Sequence, residues 1–144
     1  MNVEAILRAK GREVVIIAPD AAMSDAVRLL HRMGIGVLVV SADAERLDGI
    51  LSERDIVHAL AERGAAVLDL RVAELMTSRV VTCVPSDTVA ELMAEMTRRR
   101  IRHLPVVDRG RLVGVVSIGD VVKNRLEEME SETTSLRQFI TGAA

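Results

Sequence analysis

Gly49-Ile-Leu-Ser52-Glu-Arg-Asp55 is repeated later in the chain as Gly114-Val-Val-Ser117-Ile-Gly-Asp120. Both stretches place glycine and two aliphatic residues before Ser-x-x-Asp. The repetition extends outward, because aligning Pro19 with Pro85 keeps two sets of apolar residues in register at i, i+3, i+4 and i+7, the spacing of one buried helix face. The two sets are Met23, Ala26, Val27 and Leu30, and Val89, Leu92, Met93 and Met96. The sequence therefore contains the same structural unit twice.

Each copy has the pattern of a short extended segment, an amphipathic helix, two β-strands and a closing helix. The extended segments are Val14 to Ala18 and Val80 to Val84. The predicted strand pairs are Val37 to Val40 with Leu47 to Leu51, and Leu104 to Val107 with Leu112 to Val116. The closing helices are predicted at Glu53 to Arg63, ended by Gly64, and from Asp120 onward. A helical turn leads into each copy, at Val3 to Leu7 and at Val72 to Met76.

These elements predict an α/β (α+β) fold made of two βαββα repeats. A repeat of about 65 residues is too small to bury a sufficient core by itself, so the two are expected to pack into one globule with pseudo-two-fold symmetry. The predicted divisions are a first repeat with its lead-in helix at 1–64, a linker at 65–71, a second repeat with its lead-in helix at 72–126, and a helical tail at 127–144.

Composition narrows the possible functions. Hydrophobic residues make up 49% of the chain but aromatic residues only 1%, so the core is aliphatic and aromatic platforms for single-stranded nucleic acid are excluded. The net charge of -2 lacks the basic bias of a dedicated nucleic-acid binder. Cys83, the single cysteine, is predicted to be a buried, inert thiol. The longest apolar runs, Val14 to Ala18 and Ile35 to Val40, are far shorter than the ~20 residues of a membrane span, which indicates a cytoplasmic protein.

The repeated Ser-x-x-Asp has two interpretations. At the start of a helix it is close to a capping box, although Asp has a shorter side chain than the usual Glu or Gln. The alternative is a ligand site, because a helix N-terminus attracts phosphate, a serine hydroxyl can donate to a phosphate oxygen, and a carboxylate can accept from two ribose hydroxyls. The presence of the pair in both repeats favours ligand binding by Ser52 with Asp55 and by Ser117 with Asp120.

The two repeats differ in their basic residues. The second has Arg102-His103 where the first has Gly36-Val37, and arginine and histidine at such a place can bind phosphate. The preceding arginines, Arg98 to Arg100, are expected to be mostly solvated. The first repeat has Arg54 inside its motif instead, so the two halves are predicted to supply the charge for a phosphate from different positions.

The tandem pattern, with Arg102-His103-Leu104-Pro105-Val106-Val107-Asp108 before the second closing motif, resembles a pair of CBS (cystathionine β-synthase) domains, together called a Bateman module. The resemblance covers residues 1 to 126. It implies a regulatory or sensor protein with two clefts between the repeats. In that family the clefts bind an adenosine-containing ligand: AMP, ADP, ATP, NAD(H) or S-adenosylmethionine.

The resemblance also implies which residues bind the ligand. The two aspartates of the motif would bind ribose, the two serines ribose or phosphate, and Arg102 and His103 phosphate. The residues before Pro85, Thr82 to Val84, would line the adenine slot, and without aromatic residues the base would lie between aliphatic side chains. The predicted ligand-binding set is Ser52, Arg54, Asp55, Thr82, Val84, Arg102, His103, Pro105, Ser117 and Asp120.

Three alternatives compete with a nucleotide sensor. An enzyme has little support, because His31, His58 and His103 have no partner at metal-ligand spacing and neither Gly-x-Gly-x-x-Gly nor a Walker sequence occurs; no catalytic residue, catalytic cofactor or metal is predicted. A nucleic-acid binder would use Arg98 to Arg102, which without aromatic residues supplies only salt-sensitive phosphate contacts. A scaffold with vestigial clefts would bind no nucleotide.

The C-terminal segment has a sparse apolar stripe among glutamates, interrupted by Ser131-Glu-Thr-Thr134. This stripe could pack on the module or on a second subunit. The resemblance implies that such modules often dimerise, so a homodimer is expected, and any regulated target is expected to be a separate protein. The stripe consists of Leu126, Met129, Leu136, Phe139 and Ile140.

Overall fold

The computed structural model describes residues 1–142, so residues 143 and 144 of the predicted tail lie outside the described part. The helices are α1 (Val3–Lys10), α2 (Met23–Met33), α3 (Glu53–Arg63), α4 (Val72–Leu75), α5 (Val89–Arg99) and α6 (Ile118–Thr141), with a 3-10 helix at Gly64–Asp69. The strands are β1 (Ile16–Ile17), β2 (Val37–Val40), β3 (Gly49–Ser52), β4 (His103–Asp108) and β5 (Arg111–Ser117).

The observed elements match the predicted ones most closely around the first motif. Helix α3 has the predicted bounds and ends at Gly64, whose φ of 74° lies in the region that favours glycine. Strand β3 begins two residues later than predicted, at Gly49, because the preceding loop folds around Asp43, whose carboxylate accepts hydrogen bonds from the Glu45 and Arg46 N–H groups. Helix α6 begins at Ile118, before the predicted start.

The strands form two small sheets that correspond to the two repeats. In the first, β1 pairs with β2 in parallel and β2 pairs with β3 antiparallel. In the second, β4 pairs with β5 antiparallel, and the predicted extended segment at Val80 to Val84 contributes only a parallel bridge from Cys83 to Val106. The register places Val37 opposite Ser52 and His103 opposite Ser117. Equivalent positions of the two repeats therefore meet in the same way.

The lead-in helices are exchanged between the two halves. Helix α1 precedes the first repeat but buries Val3, Ile6 and Leu7 in the core of the second, and the Val3 N–H donates to the Asp87 carbonyl at 2.9 Å. Helix α4 precedes the second repeat but buries Val72 in the core of the first. Each core is therefore completed by a helix from the other end of the sequence.

The glycine of each motif lies where the exchanged segment presses on the strand. A Cβ atom on Gly114 would lie 2.6 Å from Cδ2 of Leu7, and one on Gly49 would lie 2.6 Å from Sδ of Met76 and 2.9 Å from the Thr77 carbonyl oxygen. Cβ atoms in proteins essentially never approach another heavy atom this closely, so a side chain at either position would force a neighbour to shift. Glycine at these positions thus allows the lead-in segments to approach the strands closely.

Helix α6 is the longest element and extends past the second core. Its buried residues are Val121 and Asn124, near the N-terminal end. Within residues 1–142, no helix has both the length and the continuous apolar character needed to cross a bilayer.

Candidate ligand-binding cleft

Both Ser-x-x-Asp motifs form complete helix caps. In the first, the Asp55 N–H donates to Ser52 Oγ at 3.2 Å and the Ser52 N–H donates to Asp55 Oδ2 at 3.0 Å. The same pair of bonds joins Ser117 and Asp120, at 3.2 Å and 2.9 Å. The expectation that Asp fits a capping box less well than Glu or Gln is therefore wrong, since its side chain reaches the N-cap amide in both repeats.

Capping leaves ligand-binding capacity at each dyad. The serine oxygen accepts within the cap, so its O–H can still donate, and the cap uses only one of the two aspartate oxygens. At the start of α3, the Glu53 N–H donates to the Gly36 carbonyl at 3.0 Å, which leaves the next N–H, that of Arg54, for an outside acceptor. The structural and the ligand-binding interpretations are therefore compatible.

The first dyad lines a cleft of about 340 Å³ between the two repeats. This volume is within the ~300–1,000 Å³ range of small-molecule sites. Five predicted site residues meet in it: Ser52, Arg54, Asp55, Arg102 and His103. The rest of the lining is Gly36, Val37, Ile50, Glu53, Thr77, Arg79, Val80, Val81, Arg100 and Ile101. Arg102 and His103 of the second repeat thus line the same cleft as the motif of the first repeat.

The lining of the cleft combines cationic and apolar side chains. Four arginines line it, Arg54, Arg79, Arg100 and Arg102, against the acidic Glu53 and Asp55. Such a surplus of guanidinium groups suits a phosphate, which arginine can bind through two parallel hydrogen bonds. The apolar lining residues are all aliphatic: Val37, Ile50, Val80, Val81 and Ile101.

The arginine run at the end of α5 divides between solvent and cleft. Arg98 and Arg99 both pair with Glu95 on the exposed side of the helix, the Arg99 contact being 2.7 Å between Nε and Oε2. Arg100 follows the helix as its C-cap, with φ 54° and ψ 43°, and lines the cleft. Arg98 and Arg99 are exposed, as expected, whereas the expectation that Arg100 is solvated like them is wrong, because Arg100 lines the cleft.

His103 is half-buried at the edge of the cleft. Burial lowers its pKa below the ordinary value of 6.5, and the positive charges of Lys10 and Arg102 lower it further. The nearby carboxylates of Asp120 and Glu53 act in the opposite direction without cancelling these effects. The imidazole therefore favours its neutral form in the free protein.

The second dyad lies outside this cleft and already has an internal partner. Lys10 Nζ donates to Asp120 Oδ2 at 2.6 Å and to the Val115 carbonyl at 2.9 Å. Burial disfavours the charged form of Asp120, but the hydrogen bonds from Lys10 and Ser117 outweigh it and hold the pKa of Asp120 below its ordinary value. Helix α1 thus brings a cation to the aspartate of the opposite repeat.

The remaining predicted residues do not line the cleft of the first dyad. Thr82 and Val84 are exposed on either side of Cys83, and the Val84 N–H donates to Asp87 at 2.9 Å. Pro105 is buried in β4, where its carbonyl accepts from the Cys83 N–H at 3.0 Å. Their role in a second cleft, with Ser117 and Asp120, stays a prediction.

Sequence reasoning missed two cations of the cleft. Arg100 aligns with Gly34, and both adopt the left-handed conformation that ends a helix. The sequence feature that could have indicated a special role for Arg100 is an arginine at the helix end where the other repeat has glycine. Arg79 follows α4, and its location depends on the exchange of the lead-in helices, which no local pattern shows. Among residues 1–142, no group of three or more His, Cys, Asp or Glu side chains is placed to hold a metal ion.

Comparison with known proteins identifies the family of the chain. The sequence model of the CBS domain matches twice, at residues 6–62 and 72–127. The chain belongs to the CBS-domain family. Its two CBS domains form a Bateman module, because the fold matches solved structures of CBS pairs.

Three relatives illustrate the likeness. A CBS-domain-containing protein of Agrobacterium tumefaciens has a crystal structure with 45% identity and a TM-score of 0.82, covering 86% of this chain and 92% of that one. A CBS domain protein of Pyrobaculum aerophilum, solved in complex with AMP, has 30% identity and a TM-score of 0.72 and covers 83% of this chain and 89% of that one. The mitochondrial CBS domain-containing protein CBSX3 of Arabidopsis thaliana is 31% identical over 98% of this chain and 72% of its own length.

Proposed function

We propose that this CBS pair is a regulatory protein that binds an adenosine-containing nucleotide in the cleft of Ser52 and Asp55. The observation that carries the proposal is the meeting of this dyad with four arginines and an aliphatic surface in one cavity. Nucleotides have the three matching parts: ribose hydroxyls, phosphate and a flat base. The AMP complex of the Pyrobaculum aerophilum relative supports the choice of AMP as the first ligand to test.

Each part of the nucleotide has a complementary part of the cleft. The Asp55 oxygen that is not used in the cap would accept from the ribose hydroxyls. The phosphate would lie among the arginines, with the Ser52 O–H and the Arg54 N–H as further donors. The base would rest on aliphatic side chains such as Val80 and Ile101, since no aromatic residue lines the cleft.

Regulation would follow from the position of the cleft between the repeats. A ligand that contacts Asp55 in one repeat and Arg102 in the other is bound best by one relative placement of the halves, so its binding shifts the population toward that placement. A separate protein that recognises that placement would be the regulated target.

The experiment is calorimetric titration with AMP, ADP, ATP, NAD and S-adenosylmethionine, together with thermal unfolding. A ligand at ~100 times its Kd stabilises the folded state by about 2.7 kcal/mol. Asp55→Asn keeps a side-chain oxygen for the cap but removes the charge, and the expected result is ~10-fold or greater weakening of nucleotide binding. Asp120→Asn is the matched control, because it changes the same cap in the other repeat and lies outside this cleft.

The outcomes separate the competing functions. A scaffold with vestigial clefts would show no binding and no thermal shift with any of the five ligands. A nucleic-acid binder would hold DNA in a salt-sensitive way that saturating AMP does not abolish. Equal loss of binding in the two asparagine variants would instead place the ligand outside the first cleft.

At the second dyad, Lys10 and the cap both bond to Asp120 Oδ2, so a nucleotide there would meet a carboxylate whose charge is already paired. One tight nucleotide per chain is therefore expected. A stoichiometry of two equal sites would show that the ion pair between α1 and the second dyad does not restrict binding.

A further inference from the structure

Helix α6 exposes a face that the module does not cover. From Arg125 to Thr141 every residue except Glu128 is exposed, a length of about 25 Å at 1.5 Å per residue. The apolar side chains of this segment are among the most exposed in the chain: Leu126 at 55%, Met129 at 50%, Leu136 at 61%, Phe139 at 85% and Ile140 at 78%. An apolar face of this extent is typical of a protein–protein contact.

Four of these five apolar residues follow a heptad repeat, and the fifth, Phe139, lies beside it at position g. Positions a of the repeat are Gly119, Leu126, Thr133 and Ile140, and positions d are Val122, Met129 and Leu136. Thr133, the polar member, donates its hydroxyl to the Met129 carbonyl at 2.9 Å, so that group stays hydrogen-bonded when the seam is buried. The buried Asn124 is at position f, on the opposite side of the helix, so the seam faces away from the module.

We propose that the occupant of this seam is α6 of a second copy, in a parallel two-stranded coiled coil. The residues beside the seam have complementary charges in that arrangement. In parallel coils, position g of one helix meets position e of the next heptad in its partner. Arg125 of one copy would then lie opposite Glu130 of the other, and Glu132 opposite Arg137, with both pairs formed twice by symmetry.

The same charges disfavour the antiparallel arrangement. When two α6 helices overlap fully in opposite directions, position e meets position e. Lys123 would lie opposite Arg137, and Glu130 opposite Glu130 of the other copy. Every such contact is between like charges, so the charge pattern selects the parallel pair. The seam and its charged flanks are separate from the nucleotide cleft, so the pairing is expected with or without nucleotide.

The first test is the mass of the full chain in solution by sedimentation at micromolar concentrations. The expected mass is twice that of the 15.7 kDa chain. Met129→Glu/Leu136→Glu places four carboxylates in the seam of a dimer and is expected to raise the dimer dissociation constant ~100-fold. Ser131→Glu/Gln138→Glu is the matched control, because it adds the same charges at position f on the opposite side.

The control variant and the wild type are expected to share one dissociation constant. Circular dichroism and the unfolding temperature of each variant establish that the module is folded, so a monomeric Met129→Glu/Leu136→Glu chain reports on the seam. A wild-type monomer at 100 µM, or a seam variant that dimerises as tightly as the wild type, would overturn the proposal.

Disulfide trapping tests the direction of the helices. Leu136→Cys is at position d and would face its own copy in a parallel pair, so mild oxidation is expected to give a covalent dimer. Gln138→Cys, at position f, is expected to remain uncrosslinked. The native Cys83 is buried and its pKa is raised to about 12, so it does not interfere. A dimer that Leu136→Cys fails to trap would be antiparallel or would use another face, and either result contradicts the parallel coil.

Discussion

At the residue scale, Asp55 and Asp120 have the same structural role in different surroundings. Each closes a capping box with the serine three residues before it. Asp55 faces a cleft lined by four arginines, whereas Asp120 is held by Lys10. The two motifs are therefore alike in sequence and in local geometry, and they differ in what the rest of the molecule places beside them.

Arg100 combines backbone strain with a place in the cleft. Its φ of 54° is unfavourable for a residue with a side chain, by about 1 kcal/mol. Arg100→Gly is therefore expected to leave the free energy of unfolding equal or higher by up to about 1 kcal/mol, while removing a phosphate-facing cation and weakening AMP binding ~3–10-fold. Chemical denaturation and calorimetric titration measure the two effects.

The control for Arg100 is its neighbour. Arg99 is the last residue of α5 and pairs with Glu95, so Arg99→Gly is expected to lower the free energy of unfolding by up to about 1 kcal/mol without changing AMP affinity. Loss of stability in Arg100→Gly would contradict the backbone strain, and unchanged AMP binding would contradict the phosphate contact.

The lowered pKa of His103 predicts that the free energy of unfolding depends on pH. Its pKa in the folded state is below the ordinary 6.5, so the unfolded chain binds more protons as the pH falls through this range. The contribution of His103 is fully present above pH 6.5 and is lost as the pH falls through the folded-state pKa. A phosphate beside the imidazole would raise that pKa, so saturating AMP is expected to weaken or reverse the dependence.

Denaturation from pH 8 to pH 5.5, with and without AMP, measures this effect. His103→Gln is the control, since it retains a polar side chain and removes the titration. A difference between the wild type and His103→Gln that does not vary with pH would contradict the assignment.

At the scale of elements, the exchanged lead-in helices explain the glycine of each motif. In the second repeat the close neighbour is the end of a side chain, Cδ2 of Leu7, which can move. In the first repeat the neighbours include the backbone oxygen of Thr77, which hydrogen-bonds to the Ile50 N–H at 3.0 Å and cannot move without breaking that pairing. The two equivalent glycines therefore differ in how much they tolerate a side chain.

Gly49→Ala is expected to cost more stability than Gly114→Ala, within about 1–3 kcal/mol for each. Leu7→Ala removes the atom that Gly114→Ala meets, so the double variant is expected to be less destabilised than the sum of the two single variants. Met76→Ala leaves the Thr77 oxygen in place and is expected to rescue Gly49→Ala only partly. Urea denaturation of the single and double variants measures the couplings; equal costs at both glycines would be evidence against this packing.

At the scale of the whole molecule, the exchange joins two cores into one folding unit. The first core contains Leu51 and Met23 with Val72 of α4, and the second contains Leu104 with Leu7 of α1. Neither core can be completed by one half of the chain. Each core contains a helix that is joined in sequence to the other repeat. Loss of one core therefore frees a helix next to the other core, and the two cores are expected to unfold together.

Calorimetry of the wild type, Leu7→Ala and Leu51→Ala tests this cooperativity. The two leucines are 1% and 0% exposed and lie in different cores, so each substitution is expected to cost about 2–5 kcal/mol. A single transition with equal calorimetric and van't Hoff enthalpies is expected in all three proteins. Two transitions, of which each variant lowers only one, would show that the repeats unfold independently.

The sequence by itself determined the repeat, the CBS-like fold, the bounds of α3 and the dyads of Ser52 and Ser117. These depend on residues close together in the chain, whose spacing sets helix faces, strand partners and caps directly. Only the tertiary structure decided that α1 and α4 exchange halves, that Lys10 meets Asp120, and that Arg79 and Arg100 join the cleft of Asp55. These contacts join residues far apart in sequence, and they form because two incomplete cores bury more apolar surface together than either does alone.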